Sequence, residues 1–136
     1  MAIKFPSPEW LQALNDKLNT DTHYAQIAKT WEGDMIVIIE PSGPLLEKQY
    51  YYLDLWHGTC RKTEIMKTLP AIMPKFVLTA TYANISRIMK GELDPMSAML
   101  TRKLQVHGSM AYMMRNVPTV LDFVRCAREV TTEILE

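Results

Sequence analysis

The side chains that could do chemistry in this 136-residue chain are few and scattered. Its three histidines show no H-x-x-x-H or H-E-x-x-H spacing; they are His23, His57 and His107. Its two cysteines, Cys60 and Cys126, lie 66 positions apart with no CxxC motif. Because neither residue type is spaced to share one metal ion, the sequence predicts reduced structural thiols, no metal site and no cofactor.

Motifs of nucleophilic catalysis and phosphate binding are also missing. No serine lies in a G-x-S-x-G elbow, and the five glycines stand singly instead of forming a phosphate-binding loop. Asp94 directly precedes Pro95, which is the arrangement of a helix N-cap and needs no catalytic role. We therefore expect no enzyme activity. An enzyme acting on a lipid or acyl thioester, with its site assembled from distant segments, is kept as the third hypothesis.

The formal net charge is +0, with 15 basic and 15 acidic side chains. A nucleic-acid-binding protein needs a basic surface to displace counterions from phosphates, so that class is excluded. Residues 101–115 are a local exception, because they contain Arg102, Lys103 and Arg115 and no acid. These cations could attract an anionic ligand head or a membrane surface in transient contact, or they could form a solvated face.

The sequence also bears on location. Its longest aliphatic run, residues 35–39, is far shorter than the ~20 residues that span a bilayer. Residues 1–8 lack the pattern of a secretory signal, and residues 133–136 do not form a peroxisomal or retention signal. We therefore expect a soluble, cytoplasmic chain.

Methionine is unusually frequent, with 10 in the chain and six of them within residues 89–114. These six are Met89, Met96, Met99, Met110, Met113 and Met114. Because methionine is unbranched and polarisable, it fills irregular space and adapts to apolar partners of variable shape. The cluster therefore indicates either an ordinary core or an adaptable apolar lining.

Two helices and then a set of strands are predicted in the first part of the chain. Ser7 and Pro8 form an N-cap and a first-turn proline for one helix, and Thr20 or Asp21 caps a second helix that ends at Gly33. Apolar, β-branched and aromatic residues then predict strands over 35–40, 49–56, 60–67 and 76–81. Residues 57–59 should join two of them as a hairpin.

Helical spacing returns in the second part of the chain. The pattern predicts helices over 82–89, from residue 95, from residue 110 and from 118 to 135, with a fifth strand over 103–107. Helices at the ends of a mainly antiparallel, five-stranded sheet indicate an α+β fold. No linker or repeat divides the chain, so we expect one domain over residues 1–136.

Residues 91–110, GELDPMSAMLTRKLQVHGSM, resemble the signature of the sterol carrier protein type 2 family, the nonspecific lipid-transfer proteins. That signature is G-x-L-D-P, an apolar helix, K-L-x-V/I-x-G and a methionine. The matching residues are Gly91, Leu93, Asp94, Pro95, Ala98, Lys103, Leu104, Val106, Gly108 and Met110. Residues 51–58 look like the hairpin of the family and residues 31–33 like the entry into its first strand, so the resemblance covers roughly residues 20–117.

The resemblance implies a non-catalytic protein with an apolar tunnel between sheet and helices that holds a lipid, sterol, fatty-acyl or fatty-acyl-CoA ligand. Burial of an acyl chain gains ~25 cal/mol per Å² of apolar area without specific polar contacts, so selectivity should be loose. The residues predicted to line the tunnel are Phe76, Leu78, Ile85, Met89, Leu93, Met96, Met99, Leu100, Leu104, Val106, Met110, Met113, Met114 and Leu121.

The chain departs from the family pattern at two positions. Arg102 stands where the family usually has glycine, and Ser109 stands where it often has asparagine or aspartate, so the turn into the fifth strand could differ. The helix after Pro118 lies beyond the matched part and could cover one end of the tunnel. The peroxisomal signal of the animal sterol carriers is absent, which leaves peroxisomal residence and a sterol ligand open.

A second hypothesis comes from a different class of function. The domain could be an interaction module with a filled core, which docks a partner chain or forms a homodimer as an accessory to a lipid or acyl-CoA enzyme. A lipid-binding protein needs an internal cavity of a few hundred Å³, whereas a filled-core module has none. The oligomeric state follows from neither hypothesis alone.

Overall fold

The computed structural model describes residues 2–136. Along the chain, the elements are β1 (Lys4–Phe5), α1 (Pro8–Thr20), α2 (Thr22–Ile27), β2 (Met35–Glu40), β3 (Gln49–Trp56), β4 (Thr59–Met66), β5 (Phe76–Thr81), α3 (Tyr82–Met89), α4 (Pro95–Leu100), β6 (Gln105–His107), α5 (Met110–Arg115), α6 (Val117–Val130) and β7 (Glu133–Ile134). No helix within these residues is long and apolar enough to cross a membrane.

The central sheet has five strands in the order β4-β3-β2-β5-β6. The pairs β2–β3, β3–β4 and β5–β6 are antiparallel. β2 and β5 are parallel, with Met35 opposite Phe76, because the connection after β4 returns across the sheet before β5 begins. The sheet is therefore mixed but mostly antiparallel, and the predicted α+β fold with five strands is confirmed.

β2 is buried on both faces of this sheet. Met35 and Ile39 belong to the main core under the helices. Ile36 and Ile38, which point the opposite way, form a second cluster with Val77 of β5. A strand covered on both sides reads as an uninterrupted apolar run, which explains the sequence MIVII over residues 35–39.

α1 begins as its sequence predicts. The Ser7 hydroxyl accepts a hydrogen bond from the backbone N–H of Trp10 at 3.0 Å, and Pro8 occupies the first turn. The buried residues of α1 are Trp10, Leu11, Leu14 and Leu18, which recur at helical spacing. α1 packs against β4 and α6, so its apolar stripe closes one side of the core.

α2 is shorter than predicted, because it ends at Ile27 and not at Gly33. The chain turns after Ala28 so that the buried Trp31 can enter the core. Its indole N–H donates to the carbonyl of Gly33 at 2.8 Å, and its ring lies 5.5 Å from that of Phe76. Burying the Trp31 indole thus stabilises the fold more than one further turn of α2 would. The helix ends, and the chain continues into β2.

The C-terminal prediction is wrong in one respect. The last helix was expected to continue to residue 135, but α6 ends at Val130 and Glu133–Ile134 forms β7, which pairs in parallel with β1. The backbone N–H of Leu135 donates to the carbonyl of Phe5 at 3.0 Å. Pairing with a segment near the start of the chain therefore replaces the final helical turn. β6 is also shorter than expected, since it begins at Gln105 and not at residue 103.

Candidate functional site

A cavity of about 120 Å³ lies between the sheet and the helices. Its floor is one face of the sheet, to which three strands contribute alternate residues. These residues are Met35, Val37 and Ile39 of β2, Tyr51, Leu53 and Leu55 of β3, and Leu78 of β5. Because side chains of a strand alternate between its two faces, these residues together form a continuous apolar surface under the helices.

The opposite wall is formed largely by α6. Its cavity-lining residues are Thr119, Val120, Phe123, Val124 and Ala127, which lie on one face of the helix. Leu14 of α1 and Tyr24 of α2 close one side, and residues of α3, α4 and α5 close the other. The helix beyond the residues that carry the sequence signature thus covers the cavity, as the sequence suggested it could.

The surface facing the cavity is apolar, and several polar atoms of the lining residues are hydrogen-bonded away from it. The Trp10 indole N–H donates to the Thr131 hydroxyl at 2.8 Å, and the Thr119 hydroxyl donates to the carbonyl of Ile27 at 3.2 Å. Burial raises the pKa of the Tyr24 phenol, so that hydroxyl stays neutral. The cavity suits an aliphatic group and offers no partner for a charge.

Six of the predicted tunnel residues line this cavity: Leu78, Ile85, Met89, Met99, Leu104 and Met113. Phe76, Leu93 and Met96 are buried in the core beside it. Val106 and Met110 are half-buried and pack against the core. None of these five residues is among those that line the cavity.

For three residues the tunnel prediction is wrong, because their side chains are exposed to solvent and do not line the cavity. Leu100 is 64% exposed, Met114 46% and Leu121 40%. Each follows a cavity-lining residue by one position, and successive helical side chains point about 100° apart. Helical spacing identified the right elements, but it did not distinguish the inner residue of each pair from the outer one.

The predicted site included Leu78 of the floor but omitted the floor residues of β2 and β3 and every cavity-lining residue of α6. Part of the signal for the floor was present in residues 51–55, where the residues that face the cavity alternate with Tyr52 and Asp54, as is typical of a strand with one face on a core. Residues 35–39 are apolar throughout and show no such alternation. The predicted site lay where the family signature lies, in the second half of the chain. The site in fact includes apolar faces from the first half as well.

One group of possible metal ligands occurs among the described residues, and the guanidinium of Arg125 lies within it. Asp21, Asp122 and Cys126 offer ligand atoms within 4.8 Å of one another. The Arg125 guanidinium donates to Asp21 Oδ1 at 2.7 Å and to Asp122 Oδ2 at 3.1 Å, and its Nη2 lies 3.6 Å from Cys126 Sγ. These residues therefore form an ion-pair network that joins α2 to α6.

Both thiols are free and buried. Burial raises the pKa of Cys60 to about 11, and it likewise raises that of Cys126 to about 11. The thiolate is the reactive form, so neither cysteine is activated as a nucleophile at neutral pH. This agrees with the predicted structural role of the two thiols.

A larger polar cleft of about 400 Å³ lies on the other face of the sheet. Its charged side chains have hydrogen-bond partners within the protein. Arg61 donates to both carboxylate oxygens of Asp54, at 3.0 and 3.1 Å. Asp34 accepts from the Tyr52 hydroxyl and from the backbone N–H of Lys75, each at 2.8 Å. The apolar cavity is therefore the stronger candidate site.

Comparison with known proteins gives the same assignment as the signature. The model of the SCP-2 sterol transfer family matches residues 11–120. The solved structure of a conserved hypothetical protein from Thermus thermophilus, described as possibly a sterol carrier protein, is 30% identical with a TM-score of 0.81, over 92% of this chain and 88% of that one. A search of curated proteins found no match.

Two further solved structures share the fold. A crystal structure of sterol carrier protein 2 is 30% identical with a TM-score of 0.81, over 92% of this chain and 98% of that one. Sterol carrier protein 2 from Yarrowia lipolytica, in its apo form, is 16% identical with a TM-score of 0.62, over 91% and 93%. Because the family model spans most of the sequence and two structures align along nearly all of it, the chain belongs to the SCP-2 sterol transfer family.

Proposed function

We propose that this chain binds the aliphatic part of a lipid or fatty-acyl ligand in the cavity between sheet and helices, and carries it without changing it chemically. The observation that carries the proposal is the apolar surface of that cavity. Membership of the SCP-2 sterol transfer family supports lipid binding and transfer in general. The ligand class proposed here is an alkyl or acyl chain, because the wall offers apolar area and no charged partner.

The size of the cavity adds a condition to the proposal. A volume of about 120 Å³ is less than that of an apolar cavity that holds benzene, about 150 Å³. Sites for larger ligands measure roughly 300–1,000 Å³. A long acyl chain must therefore displace part of the wall as it enters.

The wall of α6 is better suited to move than the sheet floor. Leu53 and Leu55 on the floor are 1% and 2% exposed and lie in hydrogen-bonded strands. Val120, Phe123 and Val124 of α6 are half-buried, so they reach solvent on one side and meet the cavity on the other. A ligand that pushes these side chains outward disturbs fewer packed neighbours than one that opens the sheet.

Binding can be tested with delipidated protein and a fluorescent fatty acid. We expect saturable uptake in the low micromolar range and displacement by unlabelled fatty acids. Each methylene group removed from water contributes about 0.8 kcal/mol, so affinity should rise with chain length until the cavity can expand no further. Uptake without saturation, or no uptake, contradicts the proposal and leaves the filled-core interaction module as the better hypothesis.

A cavity-filling variant locates the ligand. Ala127 is 3% exposed and faces the cavity, so Ala127→Phe places a phenyl ring in a space of about that size. We expect uptake to weaken by at least roughly tenfold, since the ring takes the place of the ligand. Ala83→Phe is the matched control, because Ala83 is exposed on α3 and should leave uptake unchanged. Equal uptake by both variants would place the ligand elsewhere.

Native mass spectrometry separates carrying from catalysis. Protein purified from its own host should release a lipid of defined mass, and incubation of that lipid with fresh protein should return it unchanged. A time-dependent new product would show that the protein is an enzyme. Light scattering on the same sample gives the oligomeric state, and a dimer with no bound lipid would favour the interaction module.

A further inference from the structure

One end of the cavity is closed by Phe5, which belongs neither to the central sheet nor to a helix. Phe5 lies in the two-residue strand β1, is 2% exposed and lines the cavity. The centroid of its ring lies 4.6 Å from that of Trp10 and 6.2 Å from that of Tyr82. Trp10 lines the cavity as well, so aromatic side chains from the start of the chain form this wall.

The parallel strands β2 and β5 show which end of the cavity this is. Tyr82 directly follows β5, so Phe5 lies at the carboxyl ends of the two strands. Met113 lies at the opposite end, because the ring of its neighbour Tyr112 is 5.8 Å from that of Phe76, the first residue of β5. Since Phe5 and Met113 both line the cavity, the cavity extends along the strands from one to the other.

The two ends of the chain hold Phe5 in place through a clasp, the parallel pairing of β1 with β7. The carbonyl of Phe5 accepts a hydrogen bond from the backbone N–H of Leu135 at 3.0 Å. The Tyr82 hydroxyl donates to the carbonyl of Leu135 at 2.6 Å, so one residue fixes both Phe5 and a ring beside it. Both strands of the clasp lie outside residues 11–120, so the match to the family does not describe this end of the cavity.

Solvent reaches the lining of the cavity at a different place. Val120 and Val124 of α6 are half-buried, whereas Ala127 of the same helix is 3% exposed. The Thr131 hydroxyl donates to the carbonyl of Ala127 at 2.7 Å and accepts from the indole N–H of Trp10 at 2.8 Å, which places Ala127 near the aromatic wall. A chain that enters beside Val120 and runs along α6 therefore meets a closed end.

The two ends of the cavity also differ in stiffness. A phenyl ring is rigid, and that of Phe5 packs against two further rings. Methionine has three rotatable bonds and adapts to the shape of its neighbours. Met113 can therefore yield to a ligand, whereas Phe5 forms a fixed stop.

We propose that Phe5 is a specificity-determining residue, which limits the length of the alkyl or acyl chain that the cavity accepts. The methyl end of the chain stops against its ring. This inference rests on the proposed function, since it requires a ligand in the cavity. Each methylene group buried before the limit raises affinity roughly fourfold, and each one beyond the limit stays in water and adds nothing.

Displacement of a bound fluorescent fatty acid by saturated fatty acids of increasing length tests this limit. In the native protein, affinity should rise with chain length and then become constant. Phe5→Ala frees the space of a phenyl ring, which is comparable to the present cavity of about 120 Å³. The limit should therefore move to longer chains. Chains beyond the native limit should bind Phe5→Ala at least roughly tenfold more tightly, the gain from two further buried methylene groups.

Three further variants test the assignment to Phe5. Phe5→Leu removes less volume and should move the limit in the same direction by less. Leu11→Ala removes a buried side chain that does not line the cavity, so it reports lowered stability alone and should keep the native limit. Met113→Ala enlarges the opposite end and should move the limit less than Phe5→Ala does.

The two proposals fail in different ways. If the native protein takes up no fatty acid, the proposed function is contradicted. If it takes up fatty acids but Phe5→Ala has the native limit, or Met113→Ala moves the limit equally far, only the role of Phe5 is overturned.

A photolabel locates the methyl end in the native protein and does not depend on the folding of a variant. A fatty acid with a diazirine at its methyl end should label residues 5–17, a tryptic peptide that contains Phe5 and Trp10. The same group beside the carboxyl should leave this peptide unlabelled. Failure of the methyl-end probe to label residues 5–17, or labelling confined to the peptide 104–115 that contains Met113, overturns the proposal.

Discussion

Arg102 has a backbone conformation that few residues other than glycine adopt. Its φ is +62°, in the left-handed region, at the turn between α4 and β6. The turn is required because the backbone N–H of Leu104 donates to the carbonyl of Ala98 at 3.0 Å, which brings Leu104 back to the core. Arg102 therefore stands in place of the family's usual glycine at a position where glycine would be the least strained residue.

Arg102→Gly should stabilise the protein. A non-glycine residue in the left-handed region costs roughly 1–2 kcal/mol, and the greater freedom of glycine in the unfolded chain offsets part of that gain. We expect the free energy of unfolding to rise by about 0.5–1 kcal/mol in urea titrations. Lys103→Gly is the control and should destabilise, since Lys103 does not have a positive φ. An unchanged or lower stability for Arg102→Gly would contradict this account of the turn.

Met113 and Met114 give a second test at the same scale. Met113 is 1% exposed and faces the cavity, whereas its neighbour Met114 is 46% exposed. Met113→Ala should lower the free energy of unfolding by about 2–5 kcal/mol because it removes a buried side chain and enlarges a void. Met114→Ala should change it by less than about 0.5 kcal/mol. Similar losses for both would mean that the helix is rotated relative to this structure.

A network of charges sets the position of α6 against α1 and α2. Lys17 of α1 lies 2.8 Å from Glu129, and His23 of α2 lies 2.9 Å from Asp122. Asp122 is 6% exposed and is held by Arg125 of its own helix. Because α6 supplies one wall of the cavity, this network helps to hold that wall against α1 and α2.

The network predicts sensitivity to acid. Hydrogen bonds and ion pairs with Arg125 hold the pKa of both Asp21 and Asp122 below the ordinary value of 3.8. A carboxyl with a lower pKa in the folded state contributes stability above its unfolded pKa, and that stability is lost as pH falls through the folded value. The urea midpoint should therefore stay nearly level from pH 7 to about 5 and fall below about pH 4.

Asp122→Asn identifies the group responsible. At neutral pH we expect a loss of about 1–3 kcal/mol in the free energy of unfolding, moderated because Arg125 is partly exposed. The acid-induced fall should also be shallower than in the native protein. Asp16→Asn is the control, since Asp16 is exposed and its side chain accepts a hydrogen bond only from Gln12 among the described residues. Equal acid sensitivity in the native protein and Asp122→Asn would assign the effect to other carboxylates.

At the scale of the whole molecule, stability and ligand binding should be coupled. A ligand that binds only the folded state adds stability that grows with its concentration, about 2.7 kcal/mol at 100 times the dissociation constant. We expect a fatty acid to raise the thermal midpoint of delipidated protein and of Ala83→Phe. Ala127→Phe should show no such rise, because its ring fills the cavity. A rise in all three would indicate binding outside the cavity.

Much of the local structure follows from the sequence alone. The strand over residues 35–40 is apolar and β-branched, and that over 49–56 is rich in aromatic residues; both have the predicted bounds. Ser7 and Asp94 cap helices as predicted, since each side chain accepts from a backbone N–H three residues later. These features depend on neighbours in the chain, which a sequence displays directly.

What the sequence determined by itself was therefore the order and type of the elements, and the resemblance that marks the family. Only the tertiary structure decided which side of each element meets the cavity, so that Met113 lies inside and Met114 outside. It also decided that β7 pairs with β1, because the partner of a two-residue strand lies at the other end of the chain. Periodicity defines an apolar face, but the packing of sheet against helices selects the residues of that face that enclose the space.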